Sequence, residues 1–121
     1  MEITKPIQLS KSVYCLLGPT NVGIIENEND IILIDSGLNR DNATNIDNII
    51  KENFNKNVST IINTHSNADH AGGNKYFFEK YNCKILTTKK ESAFLENPYL
   101  ESAILWGAHP FDNIRTSYFE C

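Results

Sequence analysis

Long apolar runs are missing from this sequence of 121 residues, and none is long enough to span a membrane. Residues 1–9 carry Glu2, Lys5 and Pro6 and no apolar core, so no signal peptide is expected. Cysteine is scarce. Cys15, Cys83 and Cys121 are scattered and lack Cys-x-x-Cys spacing, which excludes a disulfide framework and makes a reducing cytoplasm the expected compartment. An excess of basic charge is also missing. Eleven Lys and Arg stand against fifteen Asp and Glu, for a net charge of -4. A nucleic-acid surface wants clustered Lys and Arg, so no nucleic-acid partner is expected. A small acidic substrate is not excluded, because a bound metal can supply positive charge locally. No segment repeats and none is of low complexity.

What is present is ordinary for a globular chain: 40% apolar and 21% charged residues, in a length that suits one domain over residues 1–121. Residues 7–9 and 13–17 read as one strand ending at Gly18-Pro19. Val22-Gly23-Ile24-Ile25 reads as a second strand, and the polar residues 26–30 turn the chain into Ile31-Ile32-Leu33-Ile34. That third strand is apolar on both faces and so belongs in the middle of a sheet. Asn39-Arg40-Asp41 offers capping residues for a helix, and Ala43, Ile46, Ile49, Ile50 and Phe54 recur at helical spacing. The β-branched residues 58–64 form a fourth strand and residues 65–73 a loop. Residues 74–81 form a short helix, residues 83–88 a fifth strand, and residues 89–96 a helical stretch stopped before Pro98. Residues 99–121 read as irregular and aromatic. Strands alternating with helices after an antiparallel start give an α/β, or α+β layered, pattern.

The chemistry concentrates in Thr64-His65-Ser66-Asn67-Ala68-Asp69-His70-Ala71-Gly72-Gly73. An apolar strand runs straight into two imidazoles and a carboxylate. Ligand sites lie outside the carboxyl ends of strands in sheets of this kind. Imidazole and carboxylate together suit zinc, iron or manganese. A lone histidine is ordinarily structural, but two histidines and an aspartate so closely spaced after a buried strand point to a metal site. The glycines that follow let the backbone turn closely there.

These residues resemble the His-x-His-x-Asp-His motif of metallo-β-lactamase-fold hydrolases. Upstream, Ile31-Ile32-Leu33-Ile34-Asp35-Ser36-Gly37 resembles that family's strand ending in Asp before Gly. The resemblance runs from about Val13 to Thr88. It implies an N-terminal half of an αββα sandwich, with a mixed sheet and helices on one face. It also implies metal ligation by His65, Asp69 and His70, with His65 on a first ion and Asp69 and His70 on a second. Asp69 would also orient the attacking water, and Asp35 would bond the metal loop and a ligand imidazole. The cofactor implied is Zn2+, as one or two ions, with iron or manganese as alternatives. The implied activity is hydrolysis of a small-molecule ester, thioester, lactam or phosphodiester.

Two departures modify that picture. Asn67 stands where the motif has its second histidine, and an amide is a poorer zinc ligand than imidazole. The further ligands implied by the family's second half, a His, a bridging Asp and a last His, have no counterpart after His70. His109, in Gly107-Ala108-His109-Pro110, lies outside any ligand context. The chain thus corresponds to a truncated, first-half domain, for which catalysis is uncertain. An inactive domain acting as a metal-binding or interaction module is the alternative. A lone half would leave an apolar sheet face open, so self-association, as a homo-oligomer, is expected.

Of the remaining residues, Cys15 and Cys83 read as small buried apolar side chains, and Cys121 has no base or metal partner in the sequence. Tyr99, Trp106, Tyr118 and Phe119 read as packing aromatics more than as a substrate lining. Glu28, Asp30, Glu91 and Glu96 read as solvated charges.

Overall fold

The computed structural model describes residues 5–107, apart from the side chains of Ser102, Leu105 and Trp106. His109, Tyr118, Phe119 and Cys121 lie outside the described residues, as does the Trp106 side chain. Six strands form one sheet in the order β1-β2-β3-β4-β5-β6. They are β1 (Ile7–Ser10), β2 (Val13–Leu16), β3 (Val22–Glu26), β4 (Asp30–Ile34), β5 (Asn57–Ile62) and β6 (Lys84–Leu86). Pairing is antiparallel from β1 to β4 and parallel from β4 to β6. The apolar run Ile31–Ile34 therefore sits inside the sheet, paired on both edges.

The segment expected to be one N-terminal strand is two. Ser10-Lys11-Ser12 breaks it into a hairpin, with Gln8 opposite Tyr14 and Ser10 opposite Val13. Three polar residues are enough for a tight reversal, because a short turn needs only two central residues. The expected hairpin between β3 and β4 is present, closed by Asn27 N donating to Asp30 O at 2.9 Å.

Parallel pairing of β4 and β5 requires a crossover, which α1 (Arg40–Phe54) supplies. Its start is fixed by Asn39, whose side chain accepts from Asn42 N, and its end by Asn55 in the left-handed conformation. The second crossover carries α2 (Ala68–Ala71) and α3 (Asn74–Tyr81). The cluster segment expected to be a plain loop thus contains one helical turn, begun by Asn67. After β6 come α4 (Lys89–Glu96) and α5 (Tyr99–Trp106). Residues 108–121 lie outside the described residues, and over its own length α5 replaces the irregular chain expected from Tyr99 onward. Pro98 explains it: besides ending α4, its fixed φ of -60° opens the next helix.

Strand register sorts the side chains onto two faces. Tyr14, Ile24, Leu33 and Ile61 align on one. Against this face α1 packs Ala43, Ile46, Ile49 and Ile50, and α3 packs Phe77, joining Leu16, Val22, Ile31 and Val58 in the core. Each fully buried Leu, Ile, Val or Phe contributes about 1.5–3 kcal/mol. Cys83 is buried there too, and burial pushes its thiol pKa up, so it is an unreactive packing residue. The other face aligns Val13, Ile25, Ile32 and Thr60 in one row, and Cys15, Gly23, Ile34, Ile62 and Leu86 in the next. It is apolar and only partly covered: Leu86 is 50% exposed. Cys15, expected to be buried, lies half-buried on that open face.

A polar clamp ties α1 to α3. The Asp47 carboxylate is fully buried, and it accepts from Lys80 Nζ at 2.6 Å, Tyr81 Oη at 2.7 Å and Tyr76 Oη at 3.0 Å. A buried carboxylate is tolerated only when paired in this way. Burial first, and then the bond to Asp47, pushes the Tyr81 hydroxyl pKa up to about 12. The bond to Asp47 holds the Lys80 ammonium above its ordinary range. Both groups keep their protons longer in the folded state. Their contribution is therefore complete below about pH 10, where the unfolded groups begin to titrate, and it is lost as pH rises through the folded values. The expected result is a melting temperature that falls between about pH 10 and pH 12, and falls less in Tyr81→Phe. Equal slopes in thermal melts of the two proteins would contradict this.

No helix among the described residues is long and apolar enough to cross a membrane.

Candidate metal centre

The centre is assembled where β4 and β5 end side by side. Asp35 follows β4 with a positive φ of 65°. Aspartate tolerates that region better than most residues, and the conformation is held by what the side chain does. Oδ1 accepts from Thr64 N at 2.8 Å. Oδ2 accepts from Thr64 Oγ1 at 2.8 Å and faces His70 Nδ1, also at 2.8 Å. Asp35 is itself nearly buried and donates its own N–H to Ile62 O.

These contacts determine the tautomers of both histidines. An ionised carboxylate only accepts, so a neutral His70 donates Nδ1–H to Asp35 and keeps a bare Nε2. The single proton of Thr64 Oγ1 also goes to Asp35. At 2.8 Å from His65 Nδ1, Thr64 Oγ1 can then only accept, so His65 too carries Nδ1–H and presents a bare Nε2. One aspartate, directly and through one threonine, thus fixes the orientation of both imidazoles.

Asp69 and His70 lie on the single turn of α2. His70 Nε2 is 3.5 Å from Asp69 Oδ2, and the two imidazole centroids are 4.0 Å apart. One ligand atom from each of His65, Asp69 and His70 lies within 4.8 Å of the others. A tetrahedral zinc site with bonds of about 2.0–2.2 Å spaces its donors by roughly 3.4 Å. The Asp69–His70 pair already has that spacing. The donor set, two imidazoles and a carboxylate, therefore fits a divalent ion. Asp69 remains 43% exposed, at the edge of a cavity of about 390 Å³ that it lines with Thr20, Leu38, Asn39 and Asn42.

Asn67 opens α2 between the two histidines. Its carbonyl starts α2, accepting from His70 N and Ala71 N. Its residue lines a second cavity, of about 180 Å³, with His65, Glu91 and Phe94.

Behind the ligands lies a buried polar tray with no outward sequence signal. Ser36 Oγ donates to Asn74 Oδ1 at 2.8 Å and Asn74 Nδ2 to Asn63 Oδ1 at 2.6 Å. The His70 carbonyl accepts from Ser36 N at 2.8 Å, which anchors α2 to the end of β4. Gly72 and Gly73 serve this packing more than a turn at an ion. A Cβ on Gly72 would stand 1.8 Å from Leu38 O, and one on Gly73 2.2 Å from Ser36 O. Gly37, at a φ of 85°, supplies the left-handed step that brings residues 36–38 against them.

Glu91, expected to be a solvated charge, is partly buried and accepts from Ser66 N at 2.8 Å. The signal for its place on a helix was the spacing Thr88-x-x-Glu91, a helix-start pattern. Its partner across 25 residues had none.

The sequence from residue 16 to residue 116 matches the family model described as the metallo-beta-lactamase superfamily. No curated protein matches. Among solved structures, a subclass B3 metallo-beta-lactamase from a soil metagenome library is 23% identical with a TM-score of 0.75, over 90% of this chain and 42% of that one. The subclass B3 enzyme of Bradyrhizobium japonicum is 21% identical with a TM-score of 0.72, over 83% of this chain and 39% of its own. A Cronobacter sakazakii metallo-beta-lactamase described by its HARLDQ motif is 19% identical with a TM-score of 0.68, over 78% of this chain and 35% of its own. At these identities the likeness concerns the fold, and the chain spans less than half the length of each. The family match itself covers most of the sequence. The chain belongs to the metallo-beta-lactamase superfamily.

Proposed function

We propose that this chain supplies the N-terminal half of a metal-dependent hydrolase site. In this reading His65, Asp69 and His70 hold a divalent ion, and Asp69 directs the attacking water. The observation that carries the proposal is the Asp35 hub, which leaves Nε2 of both imidazoles bare beside the Asp69 carboxylate. When bound, the ion acts as a Lewis acid and makes water nucleophilic near neutral pH. Zinc suits this donor set best, and iron or manganese also accept it. The amide at Asn67 favours occupancy by a single ion.

The chain's own residues perform the rest. Asp69 is the one ligand open to solvent at the larger cavity, so its carboxylate can hold a water proton while a carbonyl or phosphoryl group lies against Thr20, Asn39 and Asn42. The bond attacked is that of an ester, thioester, lactam or phosphodiester. The scattered cysteines support a reducing, cytoplasmic setting.

A second reading, a domain that holds metal without turnover, is favoured by Asn67. Zinc-loaded protein that includes the second half of the fold, assayed on an ester, thioester, lactam and phosphodiester panel, separates the readings. The expected result is turnover of one class, lowered about 100-fold or more in Asp69→Asn. Metal uptake with no turnover on any class would overturn the hydrolase reading in favour of the second.

A further inference from the structure

We infer that Glu91 is a positioning residue for the metal loop, setting the direction of the His65 imidazole from the side opposite Asp35. Glu91 sits in the first turn of α4. Thr88-x-x-Glu91 is the pattern in which the first side chain caps the third backbone N–H of the helix, and the glutamate reaches back to the N–H of the cap. The first half is present: Glu91 N donates to Thr88 Oγ1 at 3.4 Å. The glutamate carboxylate, however, accepts from Ser66 N at 2.8 Å, on a different element.

Ser66 is buried, at 3% exposure, and a buried backbone N–H needs an acceptor. The sheet cannot supply one here, since β5 has ended at Ile62. Beyond that point the backbone donors are handed out one at a time. Asn63 N goes to Leu86 O, Thr64 N to Asp35 Oδ1 and Ser66 N to Glu91 Oε2. His65 is therefore bracketed by two residues whose N–H groups are each held by a carboxylate, one from the end of β4 and one from α4. Two such anchors, on either side of one residue, leave its backbone a single direction. Charge-assisted bonds of this length are the strong class. The Asp35 anchor sets the tautomer of His65, and the Glu91 anchor sets where the ring points. The inference concerns the metal-free chain and rests on the metal-centre reading only for its effect on affinity.

The test compares Glu91→Ala and Glu91→Gln with Thr88→Ala, which weakens the α4 cap and leaves the Ser66 contact in place. In metal-free protein, Glu91→Ala is expected to speed hydrogen exchange at the Ser66 amide and, by letting the ring swing off Thr64 Oγ1, to turn the His65 15N pattern from one tautomer into an average of two. Glu91→Gln, which keeps an acceptor oxygen, restores both, and Thr88→Ala changes neither. With Co2+ as the probe, Glu91→Ala is expected to bind about tenfold more weakly, the lower end of the range for groups that orient ligands, and to shift the visible spectrum. An unchanged His65 pattern in metal-free Glu91→Ala overturns the inference, whatever the metal does. So does a Thr88→Ala effect equal to that of Glu91→Ala, which would make the role one of helix stability alone. A wild-type chain that takes up no cobalt defeats the metal-centre reading and leaves the metal-free measurement to decide the role of Glu91.

Discussion

Replacing Asp35 by alanine is expected to weaken divalent-metal binding by about 10- to 100-fold. The substitution removes the acceptor of Thr64 N, Thr64 Oγ1 and His70 Nδ1 together. His70 is then free to carry its proton on Nε2, the atom beside Asp69. Thr64, no longer donating to a carboxylate, can donate to His65 Nδ1 instead, which drives that proton to Nε2 as well. Alanine at a φ of 65° also adds roughly 1–2 kcal/mol of backbone strain. Asp35→Asn separates the two effects, since asparagine tolerates the left-handed region. Its oxygen can satisfy Thr64 N, but its NH2 must then face His70 Nδ1 and donate to it. The His70 proton moves to Nε2 and the donor atom is blocked. Asparagine, the closer mimic in shape, is therefore expected to bind metal no better than alanine. Calorimetric zinc titrations check this, and an asparagine variant with wild-type affinity would refute the tautomer argument.

The second large effect is expected at Gly72. An alanine Cβ there would meet Leu38 O at 1.8 Å, the Leu38 carbonyl carbon at 2.5 Å and Ala68 O at 2.6 Å. All three are backbone atoms, and a methyl group has no rotamer by which to escape. Either residues 36–38 or α2 must move, and both hold the metal centre: residues 36–38 through Ser36 N to the His70 carbonyl, and α2 through Asp69 and His70. Overpacking ordinarily costs about 1–3 kcal/mol, and a clash confined to backbone belongs at the upper end, near 3 kcal/mol. Urea unfolding of Gly72→Ala should show that loss together with weakened metal binding. A loss below about 1 kcal/mol would mean that the two turns separate easily and do not form one packed unit.

The local patterns carried much of the fold. The spacing of Ala43, Ile46, Ile49 and Ile50 located the buried stripe of α1, and the run Ile31–Ile34 located the strand between two partners. The clustering of His65, Asp69 and His70 at a strand end was legible from their spacing, and Asp35 through the resemblance of residues 31–37 to the family's strand ending in Asp before Gly. What was not legible depends on partners distant in sequence. Thr64, Ser36, Asn63 and Asn74 are common polar residues until β4, β5 and α3 meet and leave them facing one another. Glu91 appeared solvated because its partner is the Ser66 amide, 25 residues away. Asp47 reads as one more polar residue of α1, and only the approach of α3 gives it Tyr76, Lys80 and Tyr81. Two misreadings were of local punctuation. Ser10-Lys11-Ser12 is too short a turn to stand out from the strand pattern, and Pro98 both stops α4 and starts α5.

Whether His65, Asp69 and His70 hold an ion decides the chemistry of this site. Calorimetric zinc titration of the metal-free chain, beside a variant with all three replaced by alanine, asks this directly. Saturable binding of one ion by the native chain, weakened at least about 100-fold in the variant, is the predicted result. Equal binding by the two proteins, or none by either, would contradict it.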